Sequence, residues 1–435
     1  MPLKVINRLK NRHAPKGSFS AHVLTLMTGT TIAQAIPIAI SPILTRLYSP
    51  SDFGALALFS SVVSIVAIIA TGRYELAIML PEEDDDAFNI LALSILISFV
   101  VSMLSLLIIF VFNSEISTLL GNKDISKWLY WVPFSVLLTG FYQAFNYWSS
   151  RKKQFERLAV SRISQSAFAA TANLSFGYVG LGVSGLIGGS LIGQSCATGV
   201  LGWQVWRDDK SSTGSISKNS MMRNAKRYRE FPLINSLHAF SDTVQTSGIV
   251  FVISAFFGSN ILGFYSLTLK VLRMPLSLIG SSVSQVFFQK ASQTYNDGGD
   301  LHVLLKKTMI KLSMIALPVL VIVVFFAPEI FALCFGKTWR EAGLYAQILS
   351  PWIFINFIVS PISQIPIIVN KQKSGLAIGL VYNLSLFVPL LLTSYLNRSI
   401  LIGLCSISMC ASFVLLYYVY WVFKISKRRV GTVII

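Results

Sequence analysis

The sequence predicts an all-α integral membrane protein, with about twelve transmembrane helices in two six-helix lobes around a central cavity. Composition, the recurrence of long apolar runs and a one-sided distribution of positive charge carry that prediction. Of the 435 residues, 54% are hydrophobic and 12% charged, and the mean hydropathy is +0.65. No water-soluble domain of this size tolerates so much apolar surface, so lipid is the solvent for most of the chain. Each apolar run of about twenty residues is long enough, at about 1.5 Å per residue, to cross a hydrocarbon core of about 30 Å.

The first run, near 22–46, is punctuated by Pro37 and Pro42. Ahead of it, MPLKVINRLKNR is basic, with Leu3, Val5, Ile6 and Leu9 leaning to one side, which suits a surface of anionic headgroups. Ala33 and Ala35 resemble a signal-peptide cleavage site, but the apolar stretch continues past them to Leu44. The second run, near 53–80, ends in GRYELAIML, and the third, near 87–112, follows the acidic run Glu82, Glu83, Asp84, Asp85 and Asp86. Without partner histidines or a second acidic motif, that acidic run reads as a solvated helix N-terminus, where negative charge complements the dipole, and not as a metal or glycosyltransferase motif.

The fourth run, near 128–149, spaces Trp131, Phe134, Phe141, Phe145 and Trp148 at near-helical intervals. Belt and packing roles come first for such residues, and stacking on sugar rings second. The fifth, near 158–179, has a polar face with Arg162, Gln165 and Asn173; the sixth, near 183–206, repeats Gly185, Gly189 and Gly193 as a ridge for close helix contact. A basic linker at 207–232 precedes runs near 233–257, 261–289, 308–327, 342–369, 374–396 and 400–423. Pro133, Pro275, Pro318, Pro351, Pro361, Pro366 and Pro389 permit bends in these helices. The expected division is therefore a lobe at 1–206, the linker at 207–232, a second lobe at 233–424 and a tail at 425–435. Cys196, Cys334, Cys405 and Cys410 lack metal-ligand spacing and read as small packing residues.

The formal net charge of +18 suggests nucleic acid until each cation is assigned to a side of the membrane. With the N-terminus cytoplasmic, 28 of the 36 Lys and Arg residues fall on that side, 6 fall opposite, and Lys270 and Arg273 lie inside a span. The asymmetry follows the positive-inside rule, giving an even number of spans with both termini cytoplasmic and no nucleic-acid partner.

Self-comparison finds a repeat. YSPSDFGALALFSSV, entering the second run, matches FGSNILGFYSLTLKV, entering the eighth, and places Gly54 over Gly263. Leu120, Gly121, Pro133, Lys152 and Lys153 correspond in order to Phe335, Gly336, Pro351, Lys371 and Lys373, and SGLIGGSLIG resembles RSILIGLCSI. Three matches in order argue for two parallel six-span halves, with the space between them the natural place for a transported substrate.

The segments ILTRLYSPSDFGALALFSSVVSIVAIIATGRYELAIMLP and YREFPLINSLHAFSDTVQTSGIVFVISAFFGSNILGFYSLTLKVLRMPLSLIGSSVSQVFFQKA resemble the bacterial oligosaccharide flippases of the Wzx type. Those belong to the multidrug, oligosaccharidyl-lipid and polysaccharide exporter superfamily. The resemblance implies a two-lobed, twelve-helix transporter of the bacterial cytoplasmic (inner) membrane. It implies, as partner, an undecaprenyl-pyrophosphate-linked oligosaccharide of O-antigen or related lipopolysaccharide synthesis. Membrane lipids, an H+ or Na+ counter-ion and polysaccharide assembly proteins are the further partners implied.

One constellation is visible without the family. In the eighth run Ser266, Lys270, Arg273, Ser277, Ser281 and Ser284 follow helical spacing on one face. Lys270 and Arg273 lie about 14 and 18 Å from the start of the run, near mid-membrane, where a cation is costly unless it meets water or a partner. Both suit phosphate oxygens, Lys as a compact charge and Arg as a bidentate fork. A structural ion pair with Asp242, at similar depth in the seventh run, is the alternative for Arg273. Asp242 is also the candidate coupling-ion site, since a desolvated intramembrane carboxylate titrates nearer neutrality. Arg73 and Glu75 are candidates for a headgroup-binding cation and a gate, against a snorkelling interfacial pair. Arg162 is a further cavity-cation candidate, against interhelical packing.

Transport of lipid-linked oligosaccharide by alternating access is the leading expectation. A cation-coupled exporter of the multidrug and toxin extrusion type would want acidic groups in the cavity, and a polysaccharide polymerase or ligase would want a large outward loop. The longest outward connectors, near 113–127 and 328–341, have about fifteen residues. No nucleophile, metal cluster or phosphate loop stands out, so the chain reads as a non-enzyme without cofactor or metal.

Overall fold

The computed structural model describes residues 19–427, apart from the side chains at 19–24, 211–212, 234, 237–238, 241, 275, 277–279, 281–282 and 285. The basic N-terminal stretch and most of the C-terminal tail lie outside the described residues, as do the side chains of Pro275, Ser277 and Ser281. All regular structure among the described residues is helical. It forms two compact units, one ending at Gly263 and the other starting at Phe264.

In the first unit α1 (Phe19–Ala39) stops just before Pro42, and α2 (Ser41–Leu47) resumes with that proline in its first turn, where no hydrogen-bonded N–H is required. α3 (Pro50–Ala67) begins at a reciprocal cap: Asp52 N donates to the Ser49 hydroxyl at 3.3 Å and Ser49 N to the Asp52 carboxylate at 2.8 Å. The helix expected to run to about residue 80 ends at Ala67. Gly72 and Arg73 take left-handed φ values of 59° and 60°, and a 3₁₀ turn follows at Tyr74–Met79. The run is apolar enough to span, but a left-handed pair within it cannot continue an α-helix.

α4 (Asp84–Leu119) begins within the acidic run and continues past a kink at Phe112. α5 (Val132–Arg151), α6 (Phe155–Tyr178) and α7 (Val183–Asp208) complete the first six predicted spans. The Gly185, Gly189 and Gly193 ridge of α7 packs on α6: a β-carbon on Gly193 would lie 2.8 Å from the Gln165 carbonyl oxygen and 2.7 Å from Ala169 Cβ. A second small-residue seam carries α4 on α5, where Ser94, Ser98, Ser102 and Ser105 are buried and Ser102 donates to the Pro133 carbonyl at 2.8 Å.

The acidic run is a socket for basic residues. Arg151 donates to Asp84 at 2.9 Å and to the carbonyls of Ile78, Pro81 and Glu82 at 3.1, 2.7 and 3.1 Å, while Lys152 also bonds Asp84. Trp148, fully buried, sets its ring on Phe88 at 5.0 Å between centroids. Part of the predicted linker forms α8 (Lys218–Arg227), which docks on the start of α4 through Arg223 to Asp86 at 2.7 Å and on the 3₁₀ turn through Tyr74, which donates to the Ala225 carbonyl at 3.0 Å. Because Arg151 ties four acceptors with one largely buried guanidinium, Arg151→Met is expected to lower stability by about 2 kcal/mol. The thermal midpoint of purified protein should fall accordingly, and an unchanged midpoint would show that the clamp contributes nothing.

α9 (Ser236–Asn296) contains the unit boundary and breaks at Gly258, φ 82°, in the gap between the predicted runs near 233–257 and 261–289. In the second unit α10 (Leu301–Phe335) is capped by Asp300, which accepts from His302 N at 2.9 Å and Val303 N at 3.1 Å, and it stops at Gly336, φ 104°. It outruns the predicted 308–327 at both ends, because cap and stop residues set helix limits that hydropathy does not see. α11 (Arg340–Val359), α12 (Gln372–Tyr395) and α13 (Ile400–Ser426) follow. Gly343 brings α11 against α10, with its β-position 2.5 Å from Pro328 Cα.

Eight stretches among the described residues are long and apolar enough by composition alone to cross a membrane, the one at Asp242–Met274 covering both sides of the Gly258 break. α5, α6 and α7, of 20, 24 and 26 residues, have spanning length but are more polar.

Candidate functional site

The predicted stripe on α9 leads into a cavity of about 390 Å³ within the second unit. Its polar lining is Arg273 and Ser284 from α9, Asn356 from α11 and Ser360 just beyond it; Ile353 and Phe357 form the apolar wall. Arg273 is exposed, and its guanidinium carbon sits 5.0 Å from the centre of the Trp352 ring. Among the described residues no carboxylate lies within ion-pair distance of it. A cation resting on an indole face keeps its N–H groups available at the edges of the plane.

Neighbours fix that platform. Trp352 is 1% exposed and donates its indole N–H to the Tyr382 hydroxyl at 2.9 Å, and Asn356 donates to the same oxygen at 2.7 Å. With both lone pairs of its oxygen engaged, Tyr382 has its own proton to donate. The arrangement is a guanidinium, an amide and a phenol tied through one buried tryptophan, with no acidic residue among the described residues that line the cavity. Chemically it favours an anion, particularly one with several oxygens.

Lys270, one turn before Arg273, is half-buried and has no hydrogen-bond or ion-pair partner among the described residues. It is not part of the cavity lining. The other candidates sit elsewhere. Asp242 is exposed at the beginning of its candidate span, and Thr246 donates to its backbone carbonyl at 3.3 Å. Glu75 is 1% exposed in the turn after α3, accepts from the Thr71 hydroxyl and has Arg73 Nη1 at 3.5 Å. Arg73 Nε is buried without a hydrogen-bond partner among the described residues. Arg162 donates to the Thr30 hydroxyl at 2.7 Å, tying α6 to α1. Gln165 and Asn173, from the same polar face, lie under the α7 glycines, and Tyr48 donates to the Asn173 carbonyl at 2.7 Å.

Sequence reasoning missed Trp352, Asn356 and Tyr382. The available signal was an indole and an amide four residues apart in the apolar string PWIFINF. It also missed a basic and acidic cluster at the end of α7: Arg157, 8% exposed, reaches Asp208 at 3.1 Å and Asp209 at 2.8 Å, and Trp148 donates to Asp209 at 3.1 Å. There, beyond the predicted span, hydrogen bonding from Arg207 with support from Arg157 holds the Asp208 carboxyl below the usual carboxylate range.

Among solved structures, the fold is similar to an inward-facing conformation of a multidrug resistance MATE family transporter of the MOP superfamily. The TM-score is 0.65, with 13% identity over 93% of this chain and 96% of that one. It is also similar to the lipid II flippase MurJ in an inward closed conformation, at TM-score 0.66 and 15% identity over 93% of this chain and 87% of that one. At such identities the likeness is one of fold. No curated protein matches by sequence. A family model described as "Polysaccharide biosynthesis protein" matches residues 43–343. With the apolar helices and the shared fold, that match over most of the chain makes this a multi-pass membrane protein that belongs to the polysaccharide biosynthesis protein family.

Proposed function

We propose that the chain is a flippase carrying polyprenyl-pyrophosphate-linked oligosaccharide repeat units from the cytoplasmic to the periplasmic leaflet of a bacterial inner membrane. The observation that carries this reading is Arg273, a cation lining a cavity without a carboxylate partner among the described residues, held on Trp352 and joined there by neutral hydrogen-bonding groups. Such a site matches an anionic headgroup whose sugars bring further hydroxyls. Membership of a polysaccharide biosynthesis family supports it, as does the fold shared with a lipid II flippase. An exporter of cationic drugs calls for acidic groups at the same place, and the described residues of the cavity lining include none. Lys270 is the second proposed headgroup cation, with Arg73 and Arg162 of the first unit as secondary candidates, Glu75 as a gate and Asp242 as the coupling-ion site.

Deleting the gene and following the lipid-linked intermediates tests the proposal. Accumulation of the complete undecaprenyl-linked repeat unit on the cytoplasmic face is the expected outcome. A single unit accumulating on the periplasmic face would overturn it in favour of a polymerase or ligase.

A further inference from the structure

At the end of the second unit where α10 begins and α13 finishes, a cavity of about 820 Å³ brings together Lys371, Lys424 and Lys427 from two separate stretches of chain. None of the three has a carboxylate partner among the described residues. Asp300 also lines this cavity, with its Oδ1 accepting from the backbone N–H groups of His302 and Val303, so three ammonium groups face one carboxylate and the balance of charge there is positive. Three exposed ammonium groups crowded around one hollow repel one another and favour an anion between them.

Beside this basic hollow lies an apolar cleft of about 570 Å³. The His302 ring joins the two: it packs on Phe423, which lines the cleft, at 5.1 Å, and its Nδ1 is 3.2 Å from the hydroxyl of Ser426, which lines the basic cavity. The cleft runs along α10 from Lys306 to Leu320, about 21 Å at the helical rise, and among the described residues Lys306 and Ser313 are its only polar side chains. Met314 and Leu317 on its rim are 69% and 59% exposed. The far wall is the Pro351, Phe354, Ile355 and Ile358 face of α11. The Arg273 cavity uses the other face, at Ile353, Asn356, Phe357 and Ser360, so α11 separates the two sites.

We infer that this surface binds one anionic phospholipid, with its phosphate among Lys371, Lys424 and Lys427 and an acyl chain in the cleft along α10. An ordinary soluble phosphate ligand leaves the cleft unused, and a zwitterionic phospholipid brings a cation of its own against the lysines; a headgroup of net negative charge joined to a hydrocarbon chain satisfies both. The inference goes beyond the transport reading and does not depend on Arg273.

Native mass spectrometry of the purified full chain, equilibrated with phosphatidylglycerol or phosphatidylcholine, tests it. Wild-type protein should retain phosphatidylglycerol about tenfold or more in preference, given the attraction each surface lysine adds. The triple variant Lys371→Gln, Lys424→Gln, Lys427→Gln should lose that preference, and Leu317→Trp, which fills the cleft, should lower retention severalfold. Equal retention of both lipids by the wild type, or a triple variant with its preference intact, overturns the proposal. So does Leu317→Trp without effect, and so does displacement of the phospholipid by inorganic phosphate alone, which would identify a free-phosphate site. None of these readouts measures translocation, so their failure is distinct from failure of the flippase reading.

Discussion

Arg273→Ala chains are expected to insert and accumulate normally yet move lipid-linked saccharide at a rate lower by about 30-fold or more. The size follows from losing one desolvated, charge-assisted contact to a multiply charged headgroup, a loss of about 2 kcal/mol or more. Normal folding is expected because the guanidinium is exposed to the cavity and pairs with no carboxylate among the described residues, so its removal leaves no orphaned partner charge. Arg273→Lys separates charge from geometry. It keeps the positive charge but loses the planar fork and the stacking on Trp352, and intermediate transport is expected. The measurement is the cell-surface yield of polysaccharide in a deletion strain complemented with each variant, with membrane abundance checked in parallel. Wild-type yield from Arg273→Ala would remove this residue from the mechanism and with it the main support for the proposed function.

Arg273 was legible in the sequence because a charge inside a long apolar run is rare and costly, so a single residue carries the signal. Its platform was not. Trp352 and Tyr382 are ordinary membrane-helix residues when read singly, and only the fold of the second unit places an indole from α11 and a phenol from α12 beside a guanidinium from α9. The converse holds for Glu75: GRYELAIML advertises a charged pair, but whether that pair faces a cavity or a packed turn depends on the left-handed backbone at Gly72 and Arg73. Helix number was readable because apolar length is summed over twenty residues, whereas helix ends were misplaced wherever a local device decided them. The stop at Ala67, the Asp300 cap and the Gly336 terminus are each set by one or two residues. The glycine ridge of α7 was read correctly for a related reason, since spacing alone specifies which residues share a face.

The largest effect on folding is expected at the two glycines that the internal repeat aligns. In the structure Gly54 of α3 and Gly263 of α9 meet inside the first unit: a β-carbon on Gly54 would fall on the Ser259 carbonyl oxygen and lie 3.1 Å from Gly263 N. One on Gly263 would fall on the Pro50 carbonyl oxygen and lie 3.1 Å from Pro50 Cα. Ser259 precedes Gly263 by four residues and Pro50 precedes Gly54 by four, so each glycine receives the backbone one turn before the other. Such reciprocity is the mark of a self-complementary contact between related elements, and it is independent of the sequence match that suggested the repeat. Because the obstruction is backbone on both sides, no rotamer change relieves it, and Gly54→Val or Gly263→Val should each cost about 3 kcal/mol or more. Gly199→Val and Gly379→Val provide the comparison, since nothing lies within 4 Å of a β-carbon at either position. Fluorescence-detected size-exclusion of detergent extracts should show a severalfold loss of the monodisperse peak for the first pair and a normal peak for the second. If Gly54→Val elutes like Gly199→Val, the helices are not in close backbone contact there and the repeat alignment loses its structural counterpart.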